Sequence, residues 1–192
     1  MMNKAVFIDK DGTLIPDIPY NTDPDLITLQ ENAVEGLRRL SHNGYLIIII
    51  SNQSGVARGL FKEEALNGVK SRIRDLLGAE QIALNGFYYC PHHPLGNVEE
   101  YCIECDCRKP EPGMFFKAAA DFNIDLSSSW MIGDILHDVE AGKRAGCRSV
   151  LINNGNETEW NVNGTRIPDY LVKNIDEAAL LILNNAQLAM DD

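Results

Sequence analysis

Ala5-Val6-Phe7-Ile8-Asp9-Lys10-Asp11-Gly12-Thr13 is the stretch that decides how the rest of the chain is read. Its four leading apolar residues, two of them β-branched, predict a short buried strand. Gly12 then lets the chain turn, so both carboxylates leave from the strand's carboxyl end. In an open parallel α/β sheet that edge is where ligands bind. Two acids two residues apart repel each other, and a Mg²⁺ between them relieves the repulsion. Taken alone, the stretch also fits a solvated acidic turn, and the remaining motifs decide between the two.

Composition bounds the classes. A chain of 192 residues is long enough for one domain, burying about two-thirds to three-quarters of its unfolded surface. Its 45% apolar and 23% charged residues are ordinary for a soluble globular protein. A net charge of −11 argues against nucleic acid or an anionic membrane as partner, since both need basic surface. The first apolar run is too short for a signal peptide and is interrupted by acids. The run Tyr45–Ile50 is too short to span a bilayer. Four of the five cysteines fall within Cys90–Cys107, which predicts a reduced compartment and a metal rather than a disulfide framework. The expectation is a cytoplasmic monomer.

Residues 14–31 read as a loop, and 33–43 as a helix with Val34, Leu37 and Leu40 on one face and Gly44 at its end. Leu46–Ile50 is apolar on both faces, the pattern of a central parallel strand. A helix is predicted over about 62–77, where Leu66, Val69, Ile73, Leu76 and Leu77 follow the helical period. Phe87–Tyr89 is a third strand and leads into a Cys/His-rich loop. Helices near 112–122 and 137–145 alternate with strands at 130–132 and 149–152. A polar loop (153–168), an edge strand at 170–172 and a closing helix over 176–189 complete the chain. Strands alternating with helices predict an α/β, doubly wound parallel sheet in a single domain, without repeats or linkers.

Other motifs fall at the same predicted edge. Ser51-Asn52-Gln53-Ser54-Gly55 leaves the second strand, where a hydroxyl and backbone N–H groups can hold a phosphoryl oxygen. Arg108-Lys109-Pro110 places two cations ahead of a helix N-terminus, an arrangement suited to an anion. Gly133-Asp134-Ile135-Leu136-His137-Asp138 follows the strand at 130–132. Cys90-Pro91-His92 and, twelve residues on, Cys105-Asp106-Cys107 supply the Cys₃His set of a closed structural Zn²⁺ site. Cys102 and His93 are spare by this spacing; Cys102-x-x-Cys105 is the one rival pair. His42 and His137 are expected at the surface, and Cys147 as a small buried apolar group. Trp160 has no assigned role.

These motifs resemble those of the haloacid-dehalogenase-like (HAD) phosphohydrolases, in the branch holding the heptose-bisphosphate and histidinol-phosphate phosphatases. The resemblance runs through about Val150 and is strongest at residues 5–20, 50–60, 88–114 and 131–138. It implies that Asp9 is the nucleophile, Asp11 the general acid and base, Ser51 a phosphate ligand, and Lys109 the cation neutralising nucleophile and phosphoryl group. Mg²⁺ would be held by Asp9, the Asp11 carbonyl and Asp134, with Asp138 orienting neighbours or capping the next helix. Ile135 stands where heptose-bisphosphatases often have lysine. Neither inter-motif gap is long enough for a folded cap domain, so a capless HAD-like fold with a zinc-binding loop is expected. Its specificity would then be set by loops.

The implied reaction is two-step phosphomonoester hydrolysis through an aspartyl-phosphate. A signalling receiver domain would be shorter, at about 120 residues, and lack the zinc loop; a non-catalytic scaffold would lack some of Asp9, Asp11, Lys109 and Asp134. The substrate-binding set expected is Asp17, Tyr20, Ser51, Asn52, Gln53, Arg58, Arg108 and Lys109. Asp17 suits sugar hydroxyls. Arg58 and Arg108 suit a second phosphate and would repel the amine of histidinol phosphate. A small phosphorylated sugar is therefore the expected partner. The expected reaction removes the 7-phosphate of D-glycero-D-manno-heptose 1,7-bisphosphate, with histidinol phosphate the alternative substrate.

Overall fold

Six strands appear where apolar runs predict them: β1 (Lys4–Ile8), β2 (Tyr45–Asn52), β3 (Leu84–Cys90), β4 (Trp130–Gly133), β5 (Arg148–Ile152) and β6 (Tyr170–Val172). The structure, a computed structural model, describes residues 2–188. All five strand pairings are parallel, in the order β3-β2-β1-β4-β5-β6. The order reverses between β1 and β4, and in such sheets that switch point opens a crevice at the strands' carboxyl ends.

Alternation along the strands divides the core. Val6, Ile8, Ile47, Ile49 and Ile132 face one side, covered by α1 (Ala33–His42), α2 (Ala65–Ala79) and α5 (Ile175–Leu188). Ala5, Phe7, Ile48, Ile50 and Met131 face the other, covered by α3 (Gly113–Phe122) and α4 (Leu136–Ala145). The Phe7 and Phe115 rings meet there with centroids 4.6 Å apart. Both faces are buried, which is why Ile47–Ile50 needs no polar alternation. Each such isoleucine contributes about 1.5–3 kcal/mol by leaving water.

Differences from the expected elements are local. The second helix begins at Ala65 rather than 62, because Lys62 and Glu63 accept from Ala65 and Leu66 in a tighter i→i+3 turn. β3 is longer than Phe87–Tyr89 because Asn85 Oδ1 accepts from Ile47 N–H (2.8 Å), bridging a register irregularity that polar Asn85 and Gly86 disguise. β6 is an edge strand, as expected. The expected last residue of the closing helix, 189, lies outside the described residues. Residues 9–32 hold only a 3₁₀ turn at Pro24–Leu26, and residues 91–112 only one at Glu99–Tyr101. Neither gap contains a cap, so the crevice is walled by loops alone.

Candidate active site

Asp9 continues β1, Ser51 is the penultimate residue of β2, and Asp134 follows β4. The register pairs Ile8 with both Ile49 and Ile132, so the three residues emerge at one level over the switch point. Lys109 arrives from the loop ahead of α3. Asn52 holds it there: its Oδ1 accepts from Lys109 N–H and its Nδ2 donates to Lys109 C=O, both at 3.0 Å. The buried ammonium donates to Asp9, to Asp138 Oδ1 at 2.6 Å and to Ile50 C=O at 3.2 Å.

Asp9, Asp134 and Asp138 bring ligand oxygens within 4.8 Å of one another, all three buried. Against these carboxylates stands one buried ammonium, Lys109, which leaves two negative charges uncompensated. Burial pushes the Asp9 carboxyl up, with Asp138 and Asp11 adding to the shift and Lys109 opposing it. Burial, then the Asp9 charge, pushes Asp134 up to about 6. Burial works against the Lys109 ammonium, but Asp138 and Asp9 outweigh it and hold its pKa above the usual value. A hard divalent cation would complement this oxygen set.

The Asp11 carboxylate is outside that cluster. It accepts from Lys10 Nζ (2.6 Å) and Gln53 Nε2 (3.0 Å), and Gln53 also donates to Ser51 Oγ (2.7 Å). The Asp11 side chain is therefore turned toward the cleft. Gly12 has φ +83°, and a Cβ there would lie 2.1 Å from Asp134 Oδ2. Only glycine fits where the first and fourth motifs cross. Asp138 fills both roles expected of it: it orients Lys109, and its Oδ2 accepts from Ile135 N–H at the start of α4.

Two clefts flank the centre. One of about 290 Å³, on the Asp11 side, is lined by Asp11, Asp17, Tyr20, Asn52 and Gln53. The other, about 550 Å³ on the Lys109 side, is lined by His93, Ile103, Arg108, Lys109 and His137. Arg58 Nη2 lies 3.2 Å from His93 Nε2, and its buried Nε has no partner among the described residues. Arg108 donates, among the described residues, only to His92 C=O, at 3.3 Å. Among the described residues no carboxylate pairs with either guanidinium. Burial, then Arg108 and Arg58, lowers the His93 pKa. Two guanidiniums thus gather around His93 at this end, although Glu104, Asp106 and Glu111 also line the cleft.

Cys90, His92, Cys105 and Cys107 form a second cluster fit for a metal. His92 faces the thiols through Nδ1, and five of the donor–donor separations run from 3.1 to 3.7 Å. The edge of a tetrahedral thiolate–zinc site is about 3.8 Å, so a small expansion would accommodate the ion. Cys102 is outside the set and donates to Val98 C=O at 3.0 Å. Tyr89 and Tyr101 hydroxyls both donate to Glu63, at 2.9 and 2.8 Å, which ties the loop to the segment carrying Arg58.

Asp9, Ser51, Lys109 and Asp134 thus converge, and Asp17, Tyr20 and Gln53 line the adjoining cleft. Arg108 lines the larger cleft beside Lys109, and Arg58 meets His93 at its wall. Asn52 also lines the cleft, but both ends of its amide are engaged by Lys109. His42 and His137 are exposed and Cys147 buried, as expected, although His137 edges the larger cleft. Sequence reasoning missed Lys10, Thr13 and Asn156. Thr13 Oγ1 and Asn156 Nδ2 donate to the two oxygens of Asp134, at 2.9 and 2.6 Å. Thr13 had a signal in its motif position; Asn156, from the distant polar loop, had none.

Residues 106–178 match the HAD-hydrolase-like family. Over 183 residues the chain is 39% identical to a D-glycero-beta-D-manno-heptose-1,7-bisphosphate 7-phosphatase of Pasteurella multocida, covering 94% of this chain and 97% of that protein. A Haemophilus ducreyi protein of the same name is 42% identical over 157 residues, 81% of this chain and 86% of its own length. The crystal structure of a D,D-heptose 1,7-bisphosphate phosphatase from B. bronchiseptica, complexed with magnesium and phosphate, superposes with a TM-score of 0.77. It is 25% identical and is matched over 95% of this chain and 99% of its own. The chain belongs to the HAD-like phosphatase family that includes the D-glycero-beta-D-manno-heptose-1,7-bisphosphate 7-phosphatases.

Proposed function

We propose that the chain hydrolyses the 7-phosphate of D-glycero-D-manno-heptose 1,7-bisphosphate through a phosphorylated Asp9, leaving the 1-phosphate in place. The observation that carries this reading is the separation of positive charge into two poles. Lys109 sits at the reaction centre, while the Arg58 and Arg108 guanidiniums gather around His93 with no carboxylate paired to either among the described residues, although Glu104, Asp106 and Glu111 line the same cleft. A sugar with a phosphate at each end matches both poles. A monophosphate bearing an amine matches one and is repelled by the other.

Asp9, the Asp11 carbonyl and Asp134 would hold Mg²⁺, in keeping with the two uncompensated charges of the carboxylate cluster. When bound, it neutralises phosphoryl oxygens during transfer. The Asp9 carboxylate attacks phosphorus in line as the bond to the C7 oxygen breaks. Asp11 gives its proton to that leaving oxygen, then takes one from the water that attacks the aspartyl-phosphate, releasing inorganic phosphate and free Asp9. Lys10 and Gln53 both donate to Asp11 and hold its carboxyl toward the cleft, where both proton transfers would take place. Ser51 Oγ already accepts from Gln53, so its own O–H is free to donate to a phosphoryl oxygen. Lys109 balances charge between Asp9 and the phosphoryl group.

The second metal in this reading is Zn²⁺ on Cys90, His92, Cys105 and Cys107, pinning the wall that meets the sugar. The free cysteines suit the reduced cytoplasm, and we take the working form to be a single-domain monomer. The reaction is tested by Asp9→Asn. With Mg²⁺ supplied, this variant should retain its fold and zinc but lose turnover. Near-wild-type hydrolysis by it would refute the covalent mechanism.

A further inference from the structure

The loop after β5 carries no assigned function, yet its first residues reach the catalytic centre. We propose that Asn156 is a positioning residue for Asp134, and through it sets the site's affinity for a divalent cation. This rests on Asp9 and Asp134 being cation ligands.

Asn156 Nδ2 donates to Asp134 Oδ2 at 2.6 Å, opposite Thr13 Oγ1, which donates to Oδ1 at 2.9 Å. Each carboxylate oxygen has two lone pairs, so one donor per oxygen fixes the group's plane and leaves a lone pair on each for a cation. Both donors are uncharged. They orient Asp134 without neutralising it, whereas an ammonium in their place would compete with the cation.

The amide is itself held. Asn154 Oδ1 accepts from Asn156 N–H at 3.1 Å, while Asn154 Nδ2 donates to Gly12 C=O at 2.8 Å. Gly155 between them adopts φ +94°, a conformation that suits glycine. A Cβ on Gly12 would strike Asp134 Oδ2 and Asn156 Nδ2 together, at 2.1 and 2.5 Å, so carboxylate and amide meet directly over the first motif. Glu157 Oε2 accepts from Leu136 N–H at 2.6 Å, fastening the same loop to the start of α4. Asn154 and Asn156 are otherwise exposed, so the contact serves the site rather than the core.

The test is calorimetric titration of Mg²⁺ alone, without substrate, into the zinc-loaded wild-type chain, Asn156→Ala, Asn156→Leu and Asp134→Asn. Leucine keeps the volume of asparagine but has no donor. Both Asn156 variants should bind Mg²⁺ about 10- to 100-fold more weakly, the range for lost outer-shell partners of a metal ligand. Their melting temperatures without Mg²⁺ should stay within about 2 °C of wild type, as for an exposed position. Asp134→Asn should abolish binding. Unchanged Mg²⁺ affinity in both Asn156 variants, alongside loss in Asp134→Asn, would overturn the role of Asn156 alone. Unchanged affinity in Asp134→Asn would overturn the cation site itself.

Discussion

Lys109 Nζ donates to Asp138 Oδ1 at 2.6 Å, joining the loop ahead of α3 to the first turn of α4 with both groups buried. The same ammonium bonds Asp9, so Asp138 fixes where positive charge meets the proposed nucleophile. Asp138→Ala should cost about 3–5 kcal/mol of stability, because it strips one partner from a buried ion pair. Asp138→Asn keeps the volume and should fold, but lose about 10²-fold in kcat as Lys109 loses its anchor. Thermal melts and steady-state rates check both. Wild-type kcat in Asp138→Asn would show that Lys109 needs no such anchor.

Asp11 lines the cleft outside the acid cluster, so as the proposed general acid its contribution should depend on what leaves. Asp11→Asn should lose roughly 10²–10⁴-fold with alkyl phosphates, whose alkoxide needs a proton. The loss of aspartyl-phosphate formation should be much smaller with p-nitrophenyl phosphate, read as burst rate under rapid mixing. Equal losses with both substrates would remove Asp11 from proton transfer.

The Cys₃His cluster lies in the loop wall. Zinc should co-purify at about one per chain, and Cys105→Ser or Cys107→Ser should lower that content and destabilise the fold. Hydrogen exchange should quicken first over residues 91–104, where Tyr101 and His93 otherwise sit. Full zinc content in both variants would disprove these ligands.

Asp169 gives a pH-dependent term far from the site. Burial raises its pKa, but donation from Lys143 Nζ and Ser149 N–H, each at 2.6 Å, outweighs this and lowers it below 3.8. A depressed carboxylate stabilises the fold above its unfolded pKa and loses that contribution as pH falls through the folded value. Asp169→Asn should therefore cost about 1–2 kcal/mol at pH 7, with the gap from wild type closing below about pH 3.8. Denaturant melts across pH 3–7 measure it. A gap that stays constant with pH would exclude this linkage.

The sheet was readable because its central strands are buried on both faces: Ala5–Ile8, Leu46–Ile50 and the strands after 129 and 148 stand out as apolar runs. β3 was only half visible, since Asn85 and Gly86 break the pattern while Asn85 replaces a ladder bond through its side chain. At the site, acids and cations next to strand ends were readable as motifs. Long-range pairings were not. Lys10 looks like a spacer yet is 1% exposed and paired with Asp11. Asn52 reads as a substrate contact yet spends its amide on the Lys109 backbone. Asn156 reaches Asp134 across 22 positions from a loop whose composition suggests only solvent.

In the proposed function Arg108 meets the distal phosphate. Arg108→Met should raise KM for the heptose bisphosphate about tenfold or more with little change in kcat, as removal of a charge-assisted contact made in ground and transition states alike. Steady-state kinetics test this split. A fall in kcat at constant KM would place Arg108 in the chemistry instead of at the distal phosphate.

The most direct test of the account is kcat/KM for D-glycero-D-manno-heptose 1,7-bisphosphate against histidinol phosphate, with the sugar product followed by ³¹P NMR. The account predicts a strong preference for the bisphosphate, release of one inorganic phosphate, and retention of the anomeric phosphate signal. Preference for histidinol phosphate, or loss of the 1-phosphate first, would contradict it.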